Sequence, residues 1–273
     1  MGIQMFRLMQ TISVFALICC LDVSFGAEDY AAKMRQLRRR ANQNEVAAQT
    51  HLGYMYFQGQ GVPVNYKEAM KWYRKAADQN YSYAQNNIGH LYELGLGVDQ
   101  NYPEAIKWFR RAAGQKLADA QAKLGHLYEN GLGVKRDYSE AMKWYRQAAD
   151  QKLASAQAAV GYFYDRGLGV QQDYGEALKW YREAVKQKDP NAQTNLGYLY
   201  YAGNGVPQNY AEALKWYRKA ADQNSPGAQF NLAYSYETGA GTTKDLVQAR
   251  KWYQKSANNG YKNAQIRLNM LTK

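Results

Sequence analysis

The chain has 273 residues, of which 46% are hydrophobic, and a formal net charge of +12 at pH 7. This hydrophobic fraction is ample for a packed core. The charge makes nucleic acid, an anionic membrane and an acidic protein candidate partners without choosing among them. Both cysteines, Cys19 and Cys20, lie near the start of the chain, so the rest of it has no thiol chemistry and no disulfide.

The first 26 residues are predicted to form a secretory signal peptide. One early cation, Arg7, precedes an apolar stretch from Ile12 to Leu21, and small residues follow it. This stretch of about 10 residues is far shorter than the roughly 20 that a membrane-spanning helix needs. We expect cleavage after Gly26 or Ala27 and a protein that is exported, either periplasmic or secreted. An uncleaved anchor is the alternative.

The tryptophans reveal an internal repeat. All six are spaced by 36 residues, namely Trp72, Trp108, Trp144, Trp180, Trp216 and Trp252. A fixed period predicts a tandem array in which each unit buries its apolar face against its neighbours. The units are residues 45–80, 81–116, 117–152, 153–188, 189–224 and 225–260.

Each unit is predicted to contain two helices. In the first unit, Ala48, Leu52 and Met55 have the spacing of one helical face, which defines helix A. An Ala-Gln pair recurs seven times at the start of this helix, and a glycine in its middle, Gly53 in the first unit, indicates close approach of a neighbouring helix. Glycines such as Gly59 then end helix A in a left-handed conformation.

Helix B is predicted to begin with a capping box in every unit. An Asn or Asp is followed three residues later by Glu or Gln, in the pairs Asn65–Glu68, Asn101–Glu104, Asp137–Glu140, Asp173–Glu176, Asn209–Glu212 and Asp245–Gln248. These acidic side chains are therefore interpreted as structural. The chain is predicted to be all-α, an α/α superhelical solenoid of six 36-residue helix-turn-helix repeats plus terminal capping helices.

The two ends of the array are predicted to be polar caps. Residues 27–44 align with a helix B in which Met34 and Leu37 keep core positions while Gln36 replaces the tryptophan. Residues 261–273 align with a single helix A that carries Arg267 and Asn269. Repeat arrays need such terminal elements to remain soluble.

The pattern Ala-Gln-x-x-Leu-Gly-x-x-Tyr-x-x-Gly-x-Gly-Val at residues 48–62, followed by Glu-Ala-x-Lys-Trp-Tyr-x-Lys-Ala-Ala at 68–77, resembles the Sel1-like repeat family, which is related to tetratricopeptide arrays. The resemblance implies an adaptor that assembles protein complexes, and many bacterial members are exported. The chain lacks the paired cysteines of the Helicobacter cysteine-rich members, some of which were described as β-lactam binding or weakly hydrolysing. That activity does not carry over.

No constellation for catalysis interrupts the repeat. The sequence contains no Ser-x-x-Lys and no His-Glu-x-x-His motif, and its Gly-x-Gly pattern lies between helices rather than after a strand. His90 and His126 occupy equivalent positions, but no third metal ligand is evident, so we expect exposed histidines and no metal site. We predict no enzyme, no catalytic residue and no cofactor.

One column of helix A faces away from the predicted core and is aromatic or imidazole in all six repeats. It consists of Tyr54, His90, His126, Tyr162, Tyr198 and Tyr234. By analogy with related superhelices, helix A lines the concave face, and tyrosine is favoured at binding hot spots. We predict that this ladder binds a partner; the alternative is lateral packing between adjacent A helices. Variable positions flank it, namely Thr50, Asn86, Glu93, Glu129, Asp165 and Phe230.

The basic residues follow a different pattern. Fifteen of the 35 lysines and arginines occupy the positions of Lys71, Arg74 and Lys75 in successive B helices, on the face opposite the ladder. A solvated face is the default interpretation, with attraction to an anionic envelope component as the alternative. Nucleic acid is not expected, because no recognition module accompanies the charge.

The predicted function is that of an exported, non-catalytic scaffold or adaptor, which binds a peptide or protein partner on the concave helix A face. Two alternatives stay open. The first is a binder or weak hydrolase of cell-wall-related small molecules of the β-lactam kind. The second is envelope association through the basic convex face.

Overall fold

The computed structural model describes residues 27–271, without the side chains at 27–29 and 31. The predicted signal peptide lies outside the described residues. Within them the chain forms fourteen α-helices and no strand, in consecutive pairs that repeat every 36 residues or so, which confirms the all-α repeat fold. None of these helices has the length and apolar character that crossing a bilayer requires. The chain divides between Ala148 and Ala149 into two compact units.

The first unit, which ends at Ala148, contains three repeats and a preceding helix. Its helices are α1 (Ala27–Asn42), α2 (Val46–Gln58), α3 (Tyr66–Asp78), α4 (Ser82–Leu94), α5 (Tyr102–Gly114), α6 (Ala118–Asn130) and most of α7 (Tyr138–Asp150). The A helices are α2, α4 and α6, and the B helices are α3, α5 and α7.

The second unit begins at Ala149 and continues the same alternation. Its helices are α8 (Ala154–Arg166), α9 (Tyr174–Lys186), α10 (Pro190–Ala202), α11 (Tyr210–Asp222), α12 (Pro226–Thr238), α13 (Leu246–Asn258) and α14 (Lys262–Leu271). Here α8, α10 and α12 are A helices, and α9, α11 and α13 are B helices. The last helix, α14, has the A position and no B helix after it.

In five of the six A helices a mid-helix glycine lies against an aromatic ring of the following B helix, and α12 has Ala233 at this position. A β-carbon at Gly125 would lie 2.7 Å from Cδ1 of Tyr145, closer than real β-carbons approach. The same contact recurs in the pairs Gly53–Tyr73, Gly89–Phe109, Gly161–Tyr181 and Gly197–Tyr217. The predicted close approach is therefore confirmed, and the approaching group is a buried ring.

The caps of the B helices show only half of the predicted capping box. In every repeat the N-cap side chain accepts a hydrogen bond from the third backbone N–H, as Asn65 does from Glu68 at 3.0 Å. The second bond of the box would run from the N-cap backbone N–H to the Glu or Gln side chain. Instead this N–H donates to a tyrosine carbonyl of the preceding A helix, as that of Asn65 does to Tyr56 at 2.8 Å. This exchange ties the start of each B helix to the A helix before it.

The recurrent Ala-Gln pair has a structural function that its recurrence alone does not show. Gln49 is buried, and its side-chain carbonyl accepts a hydrogen bond from Gln79 Nε2 at 2.9 Å. The same bond, between residues 30 apart, recurs in Gln85–Gln115, Gln157–Gln187, Gln193–Gln223 and Gln229–Asn259. In five repeats a buried amide is therefore satisfied at the end of the repeat's own B helix, whereas in the third repeat Gln121 Nε2 donates to Gln147 Oε1 at 3.2 Å.

Each tryptophan whose packing is described lies against a core built by the two or three helices that precede its own helix. Trp108 of α5 packs on a cluster formed by α2, α3 and α4, which includes Tyr73 and Ile88. Trp72, Trp144, Trp216 and Trp252 pack on clusters in corresponding positions. At the start of the described chain, Met34 and Leu37 are buried and Gln36 is exposed.

Candidate binding surface on the A helices

The six ladder residues differ in exposure. Tyr198 is the most exposed of the four ladder tyrosines, with 38% of its surface exposed, and His126 is also exposed. The other members, Tyr54, His90, Tyr162 and Tyr234, are half-buried. Three ladder residues lie in each unit, so each unit presents its own part of the predicted surface.

In the first unit the ladder histidines lie beside an ion pair that links two A helices. Glu93 of α4 accepts hydrogen bonds from Lys123 of α6, at 3.3 Å, and from His90 Nδ1, at 3.2 Å. The ring of His90 also meets the ring of Phe109 edge to face. The expectation of exposed histidines is wrong for His90, whose side chain is only 14% exposed.

The pKa values of this cluster follow from burial and charge. Burial alone would raise the pKa of Glu93, but the His90 hydrogen bond and the charge of Lys123 outweigh it and lower the pKa to about 2. Burial lowers the pKa of His90 and of His126, and Lys123 lowers both further. Both histidines are therefore neutral at pH 7, and Glu93 is ionised.

Several flanking positions prove to be buried. Thr50, Asn86, Glu93 and Asp165 are all buried. Glu129 is half-buried and accepts a hydrogen bond from the hydroxyl of Tyr145 at 2.7 Å. Because these side chains are buried or half-buried, they do not extend the exposed surface of the ladder.

Three polar atoms on α2 and α4 are buried without a hydrogen-bond partner among the described residues. They are Nε2 of His51, Oδ1 of Asn86 and Nδ2 of Asn87. His51 and Asn87 are equivalent residues of adjacent repeats, and Asn86 is 8% exposed. Buried polar groups normally form hydrogen bonds. This region therefore contains a donor, Asn87 Nδ2, and an acceptor, Asn86 Oδ1, without a bond among the described residues.

In the second unit an arginine lies between two ladder tyrosines. The guanidinium of Arg166 is centred 5.8 Å from the ring of Tyr162 on the same helix and 5.6 Å from the ring of Tyr198 on α10. The side chain of Arg166 is 50% exposed, and its Nε lies 3.6 Å from the buried carboxylate of Asp165. The arginine thereby links two members of the ladder.

The third ladder tyrosine of this unit lies beside a different arginine. Arg267 of α14 is centred 5.9 Å from the ring of Tyr234 and forms two hydrogen bonds with Glu237, at 3.0 and 2.7 Å. Glu237 also accepts from the hydroxyl of Tyr253. On the other side, Tyr201 meets the ring of Tyr234 at 6.4 Å.

The three basic columns of the B helices are the positions equivalent to Lys71, Arg74 and Lys75. Most of their side chains contact other residues of the protein. Lysines pair with the glutamate three residues earlier, in Lys71–Glu68, Lys107–Glu104, Lys143–Glu140, Lys179–Glu176 and Lys215–Glu212. Arginines donate to tyrosine hydroxyls of the next A helix, in Arg74–Tyr92, Arg110–Tyr128 and Arg218–Tyr236. The third column covers tryptophan rings, in Lys75–Trp72, Arg111–Trp108, Lys219–Trp216 and Lys255–Trp252.

Two residues of this surface, Lys123 and Arg166, were not identified from the sequence, and Arg267 was assigned only to the terminal cap. Each is a charged residue at a position that is neutral in most other repeats, and this departure from the period was the available signal. Within residues 27–271, no group of three or more His, Cys, Asp or Glu side chains is arranged to hold a metal ion.

The family model described as Sel1 repeat matches residues 46–81, 82–116, 118–153, 154–189, 190–225 and 226–261. No curated protein matches the sequence.

Among solved structures, a Sel1 repeat protein from Oxalobacter formigenes is 37% identical, with a TM-score of 0.79 over 84% of this chain and 92% of its own. The protective antigen c5321 of uropathogenic Escherichia coli, which displays an SLR fold, is 40% identical, with a TM-score of 0.75 over 87% of this chain. This chain spans about half, 51%, of that antigen. The immunity protein Pa5087 of Pseudomonas aeruginosa is 19% identical over 72% of this chain and 75% of its own, and with a TM-score of 0.51 it shares the fold alone.

Proposed function

Because the chain belongs to the Sel1-repeat family, whose members are generally protein-interaction scaffolds, we propose that it is a non-catalytic scaffold that binds a peptide or protein on the ladder face of its A helices. We assign it no catalytic residue and no cofactor. The partner interacts with the ladder tyrosines and with the polar side chains between them.

One contrast within the repeats carries this proposal. Most charged groups of the B helices recur in the same pairings, with glutamates, tyrosine hydroxyls and indole rings. The A helices instead carry side chains that change from repeat to repeat, such as His51, Asn87 and Lys123 at one equivalent position. A surface that differs along a regular scaffold is suited to selecting one partner.

The same contrast disfavours envelope association through the basic columns. Most of their cations lie beside glutamates or aromatic groups, which reduces the field that they present to an anionic surface. The positive charge of the protein therefore acts mainly on solubility and on the rate of encounter with a partner.

A pair of tyrosines with matched exposure tests the position of the surface. Tyr198 of the ladder is 38% exposed, and Tyr210 at the start of α11 is 39% exposed. We expect Tyr198→Ala to weaken partner binding by about tenfold, as loss of a hot-spot ring does, and Tyr210→Ala to leave it unchanged. Partners captured from cells of the source organism would be identified by mass spectrometry, and their affinities measured with purified components.

Two controls define the outcome of this experiment. Both variants should keep the circular dichroism spectrum and melting temperature of the wild type. The combined variant Tyr162→Ala, Tyr198→Ala and Tyr234→Ala should lose more affinity than the single one. Unchanged capture by the triple variant would show that the partner binds elsewhere.

We propose further that the protein acts outside the cytoplasm. The sequence of residues 1–26 has the pattern of a secretory signal, and the Escherichia coli relative is a protective antigen. Deletion of residues 2–22 should retain the protein in the cytoplasm, whereas the full chain should be exported. Cell fractionation with immunoblotting measures the distribution, and equal export of both forms contradicts the proposal.

A further inference from the structure

The guanidinium of Arg166 is held in place while its terminal nitrogens remain open. Arg166 is the last residue of α8, and the rings of Tyr162 and Tyr198 lie 5.8 and 5.6 Å from its guanidinium centre. Contact with two rings restricts the side chain, so a ligand that pairs with it gives up less conformational entropy on binding.

Arg267 shows what a fully paired arginine looks like in the same unit. Its Nε and Nη2 donate to the two oxygens of Glu237 at 3.0 and 2.7 Å, which uses the bidentate face of the guanidinium. Arg166 has only the 3.6 Å approach of Asp165 to Nε, and that distance is too long for a hydrogen bond. Among the described residues, nothing bonds to its Nη1 and Nη2.

This arrangement leads us to propose that Arg166 is the anchor for an aspartate or glutamate side chain in the peptide that the second unit binds. A carboxylate can accept two parallel hydrogen bonds from a guanidinium edge, and the tyrosine rings on either side shield part of the pair from water. The inference rests on the proposed function, because it identifies the chemistry that one part of the ladder recognises.

The local backbone favours a carboxylate on a side chain over one at a chain terminus. Terminal carboxylates are usually captured by a nest of free backbone N–H groups. Beyond Arg166, the N–H groups of Gly167 and Leu168 are already bonded to the carbonyl of Phe163. The guanidinium therefore acts without such a nest, as it does in pairing with a side chain.

Peptide selection supplies the probe for this proposal. A phage library that displays random 12-residue peptides through their C-termini offers internal acidic side chains and no free peptide carboxylate, and it would be selected on the purified protein. A second library with free peptide C-termini would be selected in parallel. We expect the first library to enrich sequences with Asp or Glu at one fixed position.

The enriched peptide would then be synthesised with an amidated C-terminus and its affinity measured by fluorescence anisotropy. Arg166→Gln should weaken binding by about tenfold, and replacing the acidic residue of the peptide by its amide should do the same. Combining both changes should add little, since they remove one interaction. Arg166→Lys keeps the positive charge but lacks the paired N–H donors of the planar guanidinium, so it should give an intermediate affinity.

Lys179→Gln supplies the control for charge, because it removes one positive charge from an exposed pair on α9. Three results would overturn the inference: equal effects of Arg166→Gln and Lys179→Gln, no enriched acidic position, or enrichment only of free C-termini with loss of binding on amidation. If the peptides still depend on Tyr198, only the inference about Arg166 fails. If no library gives a peptide that depends on the ladder, the proposed function fails with it.

Discussion

Replacing Gly125 by valine is expected to lower the free energy of unfolding by about 3 kcal/mol. The new side chain would meet the ring of Tyr145, which lies 2.7 Å from the position of a β-carbon at Gly125. This ring cannot easily move, because it is 6% exposed and its hydroxyl donates to Glu129. Urea unfolding followed by circular dichroism and tryptophan fluorescence measures the loss.

Gly114 provides the matched control for this substitution. It is also a helical residue of the first unit, but a β-carbon there would have nothing within 4 Å, and its backbone needs no glycine. Gly114→Val should therefore change the stability by less than about 1 kcal/mol, since valine is at least as good a helix former as glycine. Similar losses at Gly114 and Gly125 would refute the packing explanation.

Replacing Lys123 by methionine is expected to destabilise the protein at pH 7 by about 3 kcal/mol, because it leaves the carboxylate of Glu93 buried without its cation. The side chains of Lys123 and Glu93 are only 18% and 9% exposed. Lys107 is the control, since its pair with Glu104 has side chains 67% and 35% exposed. Lys107→Met should cost less than about 1 kcal/mol.

The pH dependence separates the effect of charge from that of packing. The folded-state pKa of Glu93, about 2, lies below its ordinary value of 4.5, so its stabilising effect is present above about pH 4.5 and is lost as the pH falls through about 2. In Lys123→Met that pKa rises, so the variant should approach the wild type in stability at acidic pH. Burial raises the pKa of Asp119 to about 6, although Lys123 lowers it. Loss of Lys123 should therefore raise the pKa of Asp119 further, which adds to the destabilisation at pH 7 and is relieved when Asp119 is protonated at acidic pH. A difference in stability that stays constant from pH 7 down to pH 2 would argue against this mechanism.

The repeat fold follows from sequence because its determinants are local and recur. The Asn65–Glu68 spacing predicts a helix start, and Asn65 caps that helix as expected. The reciprocal capping bond was predicted but is absent, because the backbone amide of Asn65 finds a carbonyl on the neighbouring helix. The spacing of residues in the sequence cannot predict this hydrogen bond, because it depends on how the two helices pack.

The candidate surface was only partly predictable. The ladder position follows from helical periodicity, but the exposure of each member depends on its neighbours. His90 is half-buried because Glu93 and Lys123 enclose it, and the equivalent His126 is exposed. The position of Arg166 between Tyr162 and Tyr198 depends on two successive A helices meeting side by side. A single helical wheel cannot show this.

The packing of the described tryptophans on the helices that precede them has a consequence for how such a chain changes length. Trp108 fills a space that α2, α3 and α4 leave, and Trp252 does so in the second unit on a cluster from α11 and α12. A duplicated 36-residue segment carries both a tryptophan and the helices on which the next tryptophan packs, so insertion of a whole period within one unit should preserve this contact. Gene duplication could thus extend the protein without redesigning a core, provided that the first helix, like α1 with Gln36, carries no tryptophan.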